Sequence, residues 1–359
     1  MKNSVVITIL FAFIFAIACK KEEPKGPDTS TPTPAGYTLV WADEFDGQSI
    51  NSSIWNFETG DGTAYGLPAG WGNNEKQMYT ASLDNASLTM HEGNTALAIT
   101  ARETSPGQYT SARLTTNGLK SMRYGRIDVR AKVPTGNGLW PAIWLLGENR
   151  ALVDWPGCGE IDIAEILGKQ SNTLYNTLHY TKAGNTKGEL QHEEIKPSGL
   201  YSDDYHVYGI EWTPQTITFK LDGNTLYQVP IEADMKEFER SFYMILNVAV
   251  GGYWPGEPDA STSFPQAMYV DYVRVYSINN LAFGPPPVLD IAEETLGQPI
   301  DTNLANAAIK EGFLDFGELS ITPYGSGGEP FLRASDTAID GTHSLVYDFP
   351  GISWGGAYI

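Results

Sequence analysis

Between residues 37 and 276 the chain runs in short apolar and polar alternations broken by Gly, Asn, Asp and Pro. The period of two is clearest over residues 96–102, 126–133 and 216–221, and each run predicts a strand with one buried face. Asp222-Gly223 lies between two such runs and predicts a tight hairpin. Residues 242–250 are almost continuously apolar, the pattern of a central strand. No segment keeps a helical period for long, and residues 232–238 predict one or two turns at most. The pattern predicts one all-β domain, a sandwich over residues 37–277, which is within the size that all-β folds reach.

Both ends depart from this pattern. Met1-Lys2-Asn3 precedes an apolar run from Val5 to Ile17 and then Ala18-Cys19. That order of charged, apolar and small residues is that of a secretory signal, with an apolar stretch short for a bilayer span. Ala16-Ile17-Ala18-Cys19 resembles a bacterial lipobox, which implies a leader over 1–18 and a lipid anchor at Cys19. Lys20-Lys21-Glu22-Glu23 is similar to the acidic export tag of Bacteroidota lipoproteins, and the proline-rich stretch 19–36 predicts a disordered tether. The alternative is ordinary cleavage near Ala18 with an incidental thiol. These residues together predict an extracytoplasmic chain, anchored by lipid to the outer membrane or cell surface of a Gram-negative bacterium. At the other end Gly284-Pro285-Pro286-Pro287 marks a boundary within a linker, 278–294. Strand-like runs over 331–334 and 344–349 then predict an incomplete C-terminal β-module, 295–359, of carbohydrate-binding type; the alternative is a small β extension on the main domain.

Composition removes several function classes. A net charge of −20 opposes binding to nucleic acid or to an anionic membrane surface. Two cysteines exclude a disulfide-stapled scaffold, and Cys158, with no neighbouring base, predicts a buried packing thiol. Nineteen tyrosines, fourteen phenylalanines and nine tryptophans beside only 18% charged residues predict an aromatic-lined exported protein.

The chemistry concentrates in Gly159-Glu160-Ile161-Asp162-Ile163-Ala164-Glu165. On a strand Glu160 and Asp162 share one face, while Ile161 and Ile163 point to the core. Glu165 lies at an odd offset, and one extra residue in a bulge near Ala164 returns it to the acidic face. Clustered acids raise at least one pKa, so that one carboxyl stays protonated and another ionises, the division that glycoside hydrolysis needs. A carboxylate metal site and a solvated acidic face are the alternatives. Trp140 and Trp144 fall on one strand face with small Ala142 between them, a shape suited to stacking on a sugar ring.

The acidic motif resembles the active-site signature of glycoside hydrolase family 16 in its bulged, laminarinase-like form. Trp41-Ala42-Asp43-Glu44-Phe45-Asp46-Gly47, Trp71-Gly72-Asn73-Asn74-Glu75, Gly138-Leu139-Trp140-Pro141-Ala142-Ile143-Trp144 and the stretch 264–276 are similar to segments of that family in the same order. The resemblance implies a concanavalin A-like β-jelly-roll with a concave cleft. It implies a retaining endo-1,3-β-glucanase with Glu160 as nucleophile, Glu165 as acid/base and Asp162 as helper. It places Asn73, Glu75, Arg113, Trp140, Trp144 and Gln266 along the substrate. By position alone, His179 after the acidic strand is a candidate for contact with the +1 sugar or the acid/base, or else a structural histidine, and Trp155 and Trp254 are candidate cleft walls or packing residues. It also implies a structural Ca²⁺ held by Glu44, the Gly93 carbonyl and Asp271, and no catalytic cofactor. The expected partner is a β-glucan, and the expected state a monomer. Mixed-linkage glucan and the algal galactans (agar, porphyran, carrageenan) are alternative substrates, and a non-catalytic glucan-binding protein is an alternative of another class.

Overall fold

Residues 242–250 meet the expectation made for them: Phe242–Val250 is an inner strand of a seven-stranded antiparallel sheet, and all nine residues are buried. Phe242, Met244, Leu246, Val248 and Val250 enter the main core, while Tyr243 and Ile245 pack on the other face with Leu146, Cys158 and Trp144. The computed structural model describes residues 33–182, 184, 186–281, 320–323, 332–339 and 342–347. In space the seven strands run Thr186–Ile195, Thr173–Lys182, Glu160–Glu165, Leu139–Gly147, Phe242–Val250, Arg113–Thr115 and Asn56–Phe57.

A ten-stranded sheet covers the other side of the core. Its path runs Asn224–Pro230, Thr216–Leu221, His206–Trp212, Gly125–Lys132, Gln266–Ile278, Asn94–Ser105, Gln108–Ser111 and Gln77–Tyr79. Ala86–His91 adds to Asn94–Ser105, and Tyr37–Asp43 adds to Gln266–Ile278 with Tyr37 opposite Ile278. The predicted hairpin joins Thr216–Leu221 to Asn224–Pro230, and Asp222 and Gly223 both take positive φ, 50° and 80°. That is the conformation a two-residue turn needs to match the strand twist. Residues 232–238 give one short turn, Lys236–Glu239.

The core between the sheets is rich in fully buried aromatics, among them Trp55, Trp212, Phe219, Phe238 and Phe242. Each such side chain contributes roughly 1.5–3 kcal/mol over its exposed state. The indole donors need partners when buried. Trp55 Nε1 donates to Asp43 Oδ2 at 2.9 Å, and Trp212 Nε1 to the Phe238 carbonyl at 3.0 Å.

Beyond residue 281 three strands are described: Thr342–Tyr347 lies between Ser320–Pro323, parallel to it, and Leu332–Ile339, antiparallel to it. The predicted leader 1–18, the anchor Cys19, the tether up to residue 32, the linker from 282 and the rest of 295–359 lie outside the described residues.

Candidate active site

Cross-strand register sets the acids in three ranks across the seven-stranded sheet. Leu146, Glu160, His179 and Glu189 are successive partners in the first, Trp144, Asp162, Thr177 and Gln191 in the second. Arg113, Asn247, Ala142, Glu165 and Tyr175 form the third. The step from second to third uses three residues of Glu160–Glu165 against two on Thr173–Lys182. That is the bulge which the five-residue spacing demanded, and it turns Glu165 to the face of Glu160 and Asp162. The buried Asn176 holds it there: its Nδ2 donates to the Ile163 carbonyl at 2.6 Å. Ile161, Ile163 and Ala164 are left to the core.

These faces floor a cleft of about 530 Å³ lined by five tryptophans, Trp71, Trp140, Trp144, Trp155 and Trp254. Two of them also position acids. Trp155 Nε1 donates to Glu160 Oε2 and Trp140 Nε1 to Glu165 Oε1, each at 3.0 Å. Trp140 meets Trp254 edge to face, with ring centres 5.4 Å apart. Trp144 Nε1 donates to Asn247 Oδ1 at 2.7 Å, and Asn247 Nδ2 donates to the Tyr79 hydroxyl at 3.0 Å.

Burial dominates the electrostatics. It lifts Glu160 and Asp162 each to about 8, and the Asp162 charge adds to the rise at Glu160. Glu165 is pushed well up by burial, then by the charges of Asp162 and Glu160. The Trp155 N–H and the neighbouring His179 favour the ionised form of Glu160. Three acids so close cannot all be charged, and Glu165 is the one with fewest groups to offset burial.

Other predicted residues fall along the same cleft. Asn73 Nδ2 donates to Glu75 Oε1 at 3.1 Å, and burial raises the Glu75 carboxyl. The loop presenting them turns at Gly70, where φ is +75° and a Cβ would lie 2.8 Å from the Glu75 carbonyl oxygen. Buried Arg113 pairs with Glu58 at 2.5 Å and lies over Trp71 and Trp144, 4.4 and 4.7 Å from the ring centres. His179 Nε2 stands 3.3 Å from Asp162 Oδ2, and desolvation lowers the imidazole pKa.

Gln266 is not among the cleft residues; its Nε2 donates to Ser263 Oγ at 3.0 Å. Cys158 is fully buried, its thiol pushed up to about 12 by burial. Of the expected calcium ligands, Glu44 gives both carboxylate oxygens to Arg274 at 2.9 and 2.8 Å. Asp271 Oδ2 accepts from Arg130 at 2.8 Å, and Gly93 sits in the turn after Ala86–His91 with φ +90°.

Sequence reasoning missed Lys187, Glu189 and Gln191, which line the cleft from Thr186–Ile195. Their shared parity was a readable signal. Asn247, the lone polar residue in 242–250, was another. Glu58 carried none.

The sequence profile described as Glycosyl hydrolases family 16 matches residues 69–274. A beta-glucanase of Rhodothermus marinus is 38% identical over 266 residues, covering 70% of this chain and 88% of that protein. Glucan endo-1,3-beta-glucosidase A1 of Niallia circulans is 36% identical over 68% of this chain, and the match spans 38% of that longer protein. Among solved structures, the laminarinase catalytic domain of Thermotoga maritima superposes with a TM-score of 0.59 at 43% identity. That match covers 67% of this chain and 98% of the domain.

Proposed function

The chain belongs to glycosyl hydrolases family 16, and from that premise we propose that it cleaves β-1,3-glucan internally with retention, Glu160 acting as nucleophile and Glu165 as acid/base. The observation carrying this reading is the bulge that sets both glutamates on one cleft face around Asp162. One oxygen of Glu160 is held by Trp155, so the other, Oε1, attacks the anomeric carbon. Glu165, kept protonated by burial and its charged neighbours, gives its proton to the departing glycosidic oxygen. In the second half Glu165 takes a proton from water, which displaces Glu160 and releases the sugar. Asp162, between them, biases which glutamate carries the proton. The tryptophan walls supply flat apolar surfaces for sugar faces, and Asn73, Glu75 and Arg113 supply polar edges.

Hydrolysis in this family needs no catalytic cofactor. A structural Ca²⁺ at Glu44, Gly93 and Asp271 does not fit the arrangement as it stands, because guanidinium groups occupy both oxygens of Glu44 and one of Asp271. A rise in unfolding temperature when CaCl₂ follows EDTA would reverse that reading. Lipid anchoring at Cys19 rests on the leader sequence alone, and loss of palmitate-analogue labelling in Cys19→Ser tests it.

The deciding experiment is reducing-sugar release from laminarin, lichenan, agarose and carrageenan, side by side. Laminarin is expected to be the best substrate. Glu160→Gln and Glu165→Gln should each abolish turnover and keep oligosaccharide binding; near-normal turnover in either overturns the assignment.

A further inference from the structure

We propose that Glu160, Asp162 and His179 form a binding site for a borderline divalent cation, Zn²⁺ in the first instance, on the cleft floor. Each residue offers one ligand atom, and the three atoms lie within 4.8 Å of one another. His179 Nε2 is 3.3 Å from Asp162 Oδ2 and 3.7 Å from Glu160 Oε1. A tetrahedral Zn²⁺ with bonds of about 2.0–2.2 Å holds its donors roughly 3.3–3.6 Å apart, and both carboxylate contacts of His179 already stand near that spacing.

A second observation points to a ligand. Asp162 is only 2% exposed, yet its Oδ2 has no hydrogen-bond partner and faces the imidazole. A buried oxygen without an aligned donor is unfavourable, more so when charged, and a cation would supply the missing partner.

The surroundings orient the donors as metal sites do. His179 Nδ1 lies 3.4 Å from Glu189 Oε2, within ion-pair range but not aligned as a hydrogen bond, so a small turn of the ring would complete the carboxylate–imidazole pairing that fixes a ligating ring. Trp155 holds Glu160 by Oε2 and leaves Oε1 to the site. The imidazole selects Zn²⁺ or Cu²⁺ over Ca²⁺ and Mg²⁺, which prefer oxygen alone. Among the described residues this is the one group of three such donors; His192 with Glu194 and His206 with Asp222 are pairs.

Cation binding stands on this geometry. Its effect on catalysis rests on the reading of Glu160 as nucleophile, since the cation would take the oxygen that attacks. The test is calorimetric titration of the full chain with ZnCl₂, and with CaCl₂ and MgCl₂ as controls. One Zn²⁺ is expected per chain at the tight site, weakened at least about tenfold in His179→Gln and also by Glu189→Gln. A laminarin oligosaccharide in the cell should compete, and neither Ca²⁺ nor Mg²⁺ should displace the Zn²⁺. Equal Zn²⁺ affinity in the wild type and a folded His179→Gln chain overturns the site. Should that variant not fold, unchanged affinity in Glu189→Gln together with absent oligosaccharide competition overturns it. Zn²⁺ bound at this site with laminarin hydrolysis unaffected would keep the site and overturn the nucleophile assignment instead.

Discussion

Replacing Glu160 by glutamine should stabilise the protein, and only above a definite pH. In the folded chain burial and the Asp162 charge raise its carboxyl from an ordinary 4.5 to about 8, whereas unfolding returns it to water. Between those values the folded state binds more protons than the unfolded state. Stability is therefore fully present below about pH 4.5 and drains away as pH rises toward 8. At about 1.4 kcal/mol per pH unit, the ceiling on the cost of ionised Glu160 is roughly 5 kcal/mol. Asp162 titrates in the same range under the same burial. The two share the penalty, so one neutral replacement should recover about half, roughly 2 kcal/mol. Glutamine keeps the shape and an oxygen for Trp155. The assay is guanidinium unfolding of wild type and Glu160→Gln in EDTA buffer at pH 5 and pH 8.5. The stability difference between the two proteins should grow by about 2 kcal/mol in favour of glutamine at the higher pH. A difference that is the same at both pH values, or that moves toward the wild type, refutes the reasoning.

Asn176→Ala should unfasten the bulge, with kcat on laminarin falling about a hundredfold from a misplacement near 1 Å while KM changes little; an unchanged kcat would show that the bulge holds itself. Arg113→Ala leaves Glu58 buried and unpaired, and equilibrium unfolding should register a loss of roughly 3–5 kcal/mol. Lysine should rescue it poorly, since the planar guanidinium also lies over Trp71 and Trp144. Trp140→Phe removes a donor that favours ionised Glu165, so the basic limb of the kcat/KM profile should move to higher pH.

Strands could be read from the sequence wherever one face is buried and the other wet, because the side-chain period then writes the burial directly. Thr216–Leu221 was found to the residue for that reason, and Phe242–Val250 by a different signal, the nearly unbroken apolar run of a strand buried on both faces. The acids were legible because the odd spacing of Glu165 contradicts a regular strand and demands one extra residue. What alternation does not carry is register between distant strands. Glu189 reaches His179 only through the pairing of Thr173–Lys182 with Thr186–Ile195, and Glu58 reaches Arg113 from a segment with no period at all. Gln266 was placed by resemblance, and the local geometry draws its amide to Ser263 instead.

Tyr37 opposite Ile278 has a mechanical meaning. The strand Tyr37–Asp43 has one neighbour, Gln266–Ile278, and the chain enters and leaves the sandwich at the same corner. Tension applied through the two flanks would load the rungs between these strands one after another, from Tyr37 inward, and not all together in shear. The sandwich should therefore unzip at low force from that corner. Glu160–Glu165, paired on both sides within the other sheet, would come under load late. A pull that has already freed Tyr37–Asp43 would leave the acid ranks standing.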